Sequence, residues 1–176
     1  MADDPPIADE SGFQTQENSY WQFSVVFYAR QNIQELLLKA QNRHALDINM
    51  LLYALWQAAE GHSLSFGDFV KLNETIADWR KTILLPMRDL RRSLKSRDRN
   101  GDLYSQAQSL ELSCEKVQQQ IMYEQAQYSP RLDISGEGIE RIALVNLDSY
   151  LEAMDLSLPT PVVKQLAREL RNFVGL

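Results

Sequence analysis

The sequence predicts an all-α fold, an irregular helical bundle that includes a long antiparallel helical hairpin. Three observations predict it. Apolar residues recur at steps of three and four along most of the chain, which stacks them on one face of a helix. No segment alternates apolar and polar residues at period two for long enough to make a strand. Only 7 Gly and 6 Pro interrupt 176 residues, so little breaks the helices. The length fits one domain with a core of its own.

Residues 1–16 are acidic and polar without an apolar period, and are expected to be a disordered tail. Residues 17–176 then form a single helical domain. Asn18 or Ser19 caps the first helix. In it Trp21, Val25 and Tyr28 share one face and Phe23 and Phe27 another, which predicts burial on two sides. A second helix over 31–43 turns Ile33, Leu36, Leu37 and Ala40 inward. Asp47 caps a third, which runs to about Glu60 and stops at Gly61. Its run from Met50 to Trp56 is apolar on every side, the mark of a central core element.

Ser65 caps a fourth helix with Phe66, Phe69, Val70, Leu72 and Ile76 as its apolar positions. Ile76, Ile83, Met87, Leu90 and Leu94 then follow a seven-residue repeat with a gap at Arg80. After the polar turn Asp98–Asp102 a second stripe reads Leu103, Ala107, Leu110, Cys114, Val117, Ile121 and Tyr128. Two such stripes joined by a short turn predict the hairpin. Pro86 removes the amide bond back to the Thr82 carbonyl and predicts a kink in the first arm. Residues 129–136 are expected to be a loop, followed by a helix near 137–154. Thr160 as cap and Pro161 at the first helical position start a last helix, with Val163, Leu166, Leu170 and Phe173 inward.

The net charge is −6, of which Asp3, Asp4, Asp9 and Glu10 supply −4. The body is close to neutral, which leaves room for a local basic face. The single cysteine, Cys114, has no partner for an intramolecular disulfide. No signal-peptide pattern opens the sequence, and the densest apolar run is too short to span a bilayer. The expected location is therefore cytoplasmic, with no membrane partner.

Five constellations carry chemistry on paper. His44, Asp47 and Asn49, beside Arg43 at the entrance to the third helix, suit a general base or a polar pocket; capping by Asp47 is the plainer explanation. Cys114 as a nucleophile would need His44 beside it, yet it occupies an apolar position of a helix, where small cysteines serve as core. The turn Asp98-Arg99-Asn100-Gly101-Asp102 places Leu103 and Ser109 where a calcium loop needs Gly and Glu, so calcium is rejected. Arg88, Arg92, Lys95 and Arg99 stand four, three and four apart and line one helix face. That face suits an acidic protein surface or RNA phosphates; Glu111 and Glu115, opposite it in an antiparallel hairpin, would neutralise part of it. Trp21, Phe23, Phe27, Tyr28, Tyr53, Trp56 and Trp79 suit a ligand pocket, although at helical spacing aromatics more often fill a core. There is no phosphate loop, metalloprotease helix, zinc cysteine pair or nucleophile elbow. No catalytic residue, metal ligand or cofactor is assigned.

Trp21-Gln22-Phe23 through Phe27-Tyr28-Ala29-Arg30, then Gln41 through Leu52, then Trp79 with Leu85-Pro86-Met87-Arg88, resembles a proteobacterial family of conserved hypothetical proteins known as a domain of unknown function. The resemblance runs from about Trp21 onward. It implies a small, helical, bacterial, cytoplasmic protein and no activity, cofactor or functional residue.

The first functional expectation is a non-enzymatic interaction or adaptor module that binds another macromolecule, in the first place a protein. A small-molecule-binding protein or enzyme with a pocket at His44, Asp47 and Asn49 is the second. An RNA- or ribosome-associated factor using the basic face is a variant of the first, and self-association through the heptad hairpin is a further partner expectation.

Overall fold

A computed structural model describes residues 18–44, 46–97, 101–126 and 136–175, and the side chains of these except 41–44. The acidic segment 1–16, the turn 98–100 and most of the expected loop 129–136 lie outside the described residues. Within them there are eight α-helices and no strand. They are α1 Ser19–Tyr28, α2 Gln31–His44, α3 Ile48–Ala59, α4 Phe66–Trp79, α5 Leu85–Arg97, α6 Asp102–Glu124, α7 Gly136–Ala153 and α8 Thr160–Val174. None is long and apolar enough to cross a membrane.

Short polar residues set the helix starts. The Asn18 side chain accepts from the Trp21 amide at 2.7 Å. Asp47 accepts from the Asn49 amide at 2.9 Å and starts α3. Ser65 and Asp68 close a reciprocal capping box at the head of α4. α3 ends where Gly61 takes a φ of 82°, a left-handed turn open to glycine without strain. α8 starts one residue earlier than expected. Pro159 stands at its cap, Thr160 is the first helical residue and Pro161 follows in the first turn.

Burial of apolar surface organises these helices. α3 is buried from Asn49 to Ala58. It packs against α7, α8, α1 and α6, while α7 also covers α4 and α8. The buried Asn146 of α7 ties the connection after α3: its amide nitrogen donates to the carbonyls of Ala54 and His62, and its oxygen accepts from the Leu64 amide.

Two expectations about faces are corrected. On α1 the buried residues are Tyr20, Ser24 and Phe27, not the Trp21–Val25–Tyr28 face, and Val25 is 50% exposed. Tyr20 wins the interior because its ring packs on Tyr53 and Trp56 and its hydroxyl donates to the Asn49 carbonyl at 2.5 Å. Along α5 and α6 the heptad residues Leu90, Leu103 and Leu110 are also about half exposed. The paired helices leave that side of the stripe uncovered.

The kink expected at Pro86 takes a specific form. Residues Arg80–Leu84 make a π-helical segment between α4 and α5, in which the Leu85 amide bonds to the Arg80 carbonyl. The extra residue widens the turn just before the proline, where a missing amide and a crowded carbonyl would otherwise break an α-helix.

That widened turn aims Arg80 into the protein. Its guanidinium donates to Asp47 Oδ2 at 2.9 Å and to Asn73 Oδ1 at 2.7 Å. Asp47 thus serves both the α3 amides and Arg80. Asp47→Ala should cost about 2–4 kcal/mol, because it removes a cap and strands a largely buried cation. Asp47→Asn, which keeps a capping oxygen, should cost less. Urea denaturation checks both; a loss below about 0.5 kcal/mol for Asp47→Ala would contradict the pairing.

Candidate functional site

A groove of about 570 Å³ runs between α1, α2 and the start of α3 on one side and α5 and α6 on the other. Its first wall is apolar and aromatic: Trp21, Val25 and Tyr28 from α1, Leu38 from α2, Ile48 and Leu52 from α3. Its second wall carries Arg88, Arg91, Arg92 and Lys95 from α5, with Glu111, Leu112 and Glu115 from α6. Ser24, Asn49 and Gln119 lie at its base.

The walls are held from behind. Asn49 Oδ1 accepts from Gln119 Nε2 at 2.8 Å, which joins α3 to α6. Asn18 Nδ2 donates to Gln120 Oε1 at 2.6 Å, and the Lys116 ammonium lies 5.4 Å from the Trp21 ring centre, which joins α1 to α6. The Trp79 indole donates to the Cys114 carbonyl at 3.1 Å, which joins α4 to α6. The Tyr150 hydroxyl contacts the Asp47 backbone, accepting from its amide at 3.0 Å.

α5 and α6 are laced by ion pairs. Arg88 meets Glu115 at 2.8 Å, and Arg91 pairs with Glu111. Both pairs join α5 to α6. They consume two of the groove's cations. Arg92 keeps a 65% exposed side chain, paired among the described residues with Asp89 on its own helix at 3.2 Å. Lys95 is exposed, with no ion pair among the described residues. Four cations against two carboxylates leave the wall with an excess of positive charge.

Glu115 departs from an ordinary surface carboxyl. Burial pushes its pKa up, and the Arg88 hydrogen bond only partly offsets this. The Cys114 thiol next to it is also pushed up by burial, with the Glu111 and Glu115 carboxylates adding to the shift. At 7% exposure Cys114 is an inert core residue, not an activated thiol. Among the described residues no group of three His, Cys, Asp or Glu could hold a metal ion.

The two sequence-predicted sets therefore meet in part. Arg88, Arg92 and Lys95 line the groove, and Asn49 lies at its base. Asp47 is not among the lining residues; it is taken up by the cap and by Arg80. Arg99 and the His44 side chain lie outside the described residues. Sequence reasoning missed Gln119 and Arg80. Arg80 had left a trace, as the charged residue that interrupts the first heptad stripe; Gln119, within the run Gln118-Gln119-Gln120, left none.

The Glu115 shift fixes the sign of a pH effect. A carboxyl whose folded pKa lies above its unfolded value opposes folding when ionised; that penalty is full near neutrality and fades as pH falls toward the ordinary value of 4.5. Glu115→Gln should thus gain stability relative to the unmodified chain as pH rises from 4.5 to 7. Urea midpoints at both values check it; a stability difference independent of pH would contradict the shift.

Every residue that lines the groove falls between positions 21 and 119. Residues 19–122 match the model of a family described as a protein of unknown function, DUF2390. No curated protein and no solved structure matches the chain. Because the family model spans more than half of the sequence and all of the groove, the chain belongs to the DUF2390 family.

Proposed function

We infer that the chain is a non-enzymatic interaction module, and that the groove is where a protein partner docks. The observation that carries this reading is the facing of an apolar wall by a wall of cations. An occupant with apolar and acidic side chains would cover Val25, Leu38 and Leu112, which stand 50%, 40% and 54% exposed, and would meet Arg92 and Lys95. A binding role is favoured over chemistry because both groove carboxylates are engaged by arginines. RNA is disfavoured by the same pairs: neutralised arginines and two adjacent glutamates make a poor phosphate track.

A photo-crosslinking residue at Leu112, in the groove, should capture a protein in cells of the source organism. The same residue at Phe66, exposed on α4 away from the groove, should not. Arg92→Glu with Lys95→Glu should reduce capture at Leu112 at least tenfold. Equal capture at both positions would contradict the reading, and a nuclease-sensitive adduct would hand the groove to RNA.

The exposed stripe of Leu90, Leu103 and Leu110 on the α5/α6 pair supports a second reading, self-association through that face. Sedimentation velocity should then show a concentration-dependent dimer that Leu103→Glu with Leu110→Glu abolishes. A monomer at every concentration would contradict it.

A further inference from the structure

The groove's open valences describe its occupant. Two cations on the rim, Arg92 and Lys95, are not taken up by α6 carboxylates. Three rim side chains, Val25, Leu38 and Leu112, expose roughly half their apolar surface. The two features together ask for an acidic, partly apolar segment: carboxylates at the cationic rim, apolar side chains on the Trp21 wall.

One such peptide is covalently attached. Residues 1–17 carry Asp3, Asp4, Asp9, Glu10 and Glu17 with no Lys or Arg, and include Ile7 and Phe13. This segment joins the described structure at Asn18, three residues before Trp21 of the groove wall. Seventeen residues reach up to about 55–60 Å when extended, far more than one groove needs. The chain thereby divides its charge, with the acids gathered in the segment and a cationic excess on the groove wall.

We propose that residues 1–17 dock in the groove between α1–α3 and α5/α6, so that the chain's own acidic segment competes with the outside partner. The proposal rests on the reading of the groove as the docking site. Carboxylates of the segment meet Arg92 and Lys95, and Phe13 or Ile7 covers the wall formed by Trp21, Val25 and Leu38. A tether of this length holds the segment at an effective concentration on the order of millimolar. An intrinsic dissociation constant near roughly 0.1 mM is then enough to fill the groove about nine-tenths of the time. A partner must outcompete it, which sets a threshold for binding.

The test uses the full chain and a fluorescein-labelled synthetic peptide of residues 1–17, followed by anisotropy. One variant neutralises the segment in place, Asp3→Asn, Asp4→Asn, Asp9→Asn and Glu10→Gln. It should bind the labelled peptide about tenfold more tightly than the unmodified chain, whose groove is already filled. Adding Arg92→Glu and Lys95→Glu to that variant should remove the gain. Both sites are exposed, so the fold is kept, and circular dichroism checks it. Equal binding by the unmodified and neutralised chains, absence of saturable binding by the neutralised chain, or indifference to the charge reversal would each overturn the proposal. Failure here together with specific capture at Leu112 would leave the groove as a docking site and remove only the chain's own segment as its occupant.

Discussion

The contact between Arg80 and Asp47 is the constraint on which the rest of the structure depends. Arg80 lies on a π-helical segment, 33 positions along the chain from the carboxylate it meets. Asp47 is occupied twice, with one oxygen on the first amides of α3 and the other on the guanidinium. The contact therefore ties the start of the most buried helix to the π-helical segment between α4 and α5. An uncompensated charge at so covered a place is expensive, which makes the pairing selective for one arrangement of the helices.

The groove follows from that arrangement. α4 and α6 pack together, with the Trp79 indole bound to the Cys114 carbonyl. α5 and α6 then stand beside α1–α3 with one shared boundary, joined at its base by Asn49 and Gln119. One side of that boundary inherits the apolar surplus of α1. The other inherits the basic run of α5, two of whose cations are neutralised across the helix pair. A body that is close to neutral outside the acidic first residues thus yields a cleft with one apolar and one cationic wall, because folding sorts side chains that the average mixes.

The legible parts of the fold were those decided within a few residues. Asn18, Asp47 and Ser65 cap the helices that their side chains announce, because a cap needs only amides two or three positions on. The all-round apolar run of α3 identified the central helix, since no exposed helix tolerates it. Glu115 meets Arg88 and Glu111 meets Arg91, the region of α5 that their places in the sequence had pointed to. The face of α1 was not legible in the same way. Core and groove wall both ask for aromatic residues, and only the third dimension shows that Tyr20 goes inward while Trp21 faces the cleft. The site was half legible for a related reason: its cations are neighbours on one helix, whereas Gln119 and Arg80 acquire meaning only from α3.

The groove is a standing feature, held at its base and at the head of α3 by contacts within the chain. Spin labels at Leu38 and Arg92, on opposite walls, with Cys114→Ala to remove the native thiol, measure this directly by pulsed electron paramagnetic resonance. A single narrow distance distribution is expected in the free protein. A broad or two-peaked distribution, with α5/α6 free to swing away from α1–α3, would contradict it.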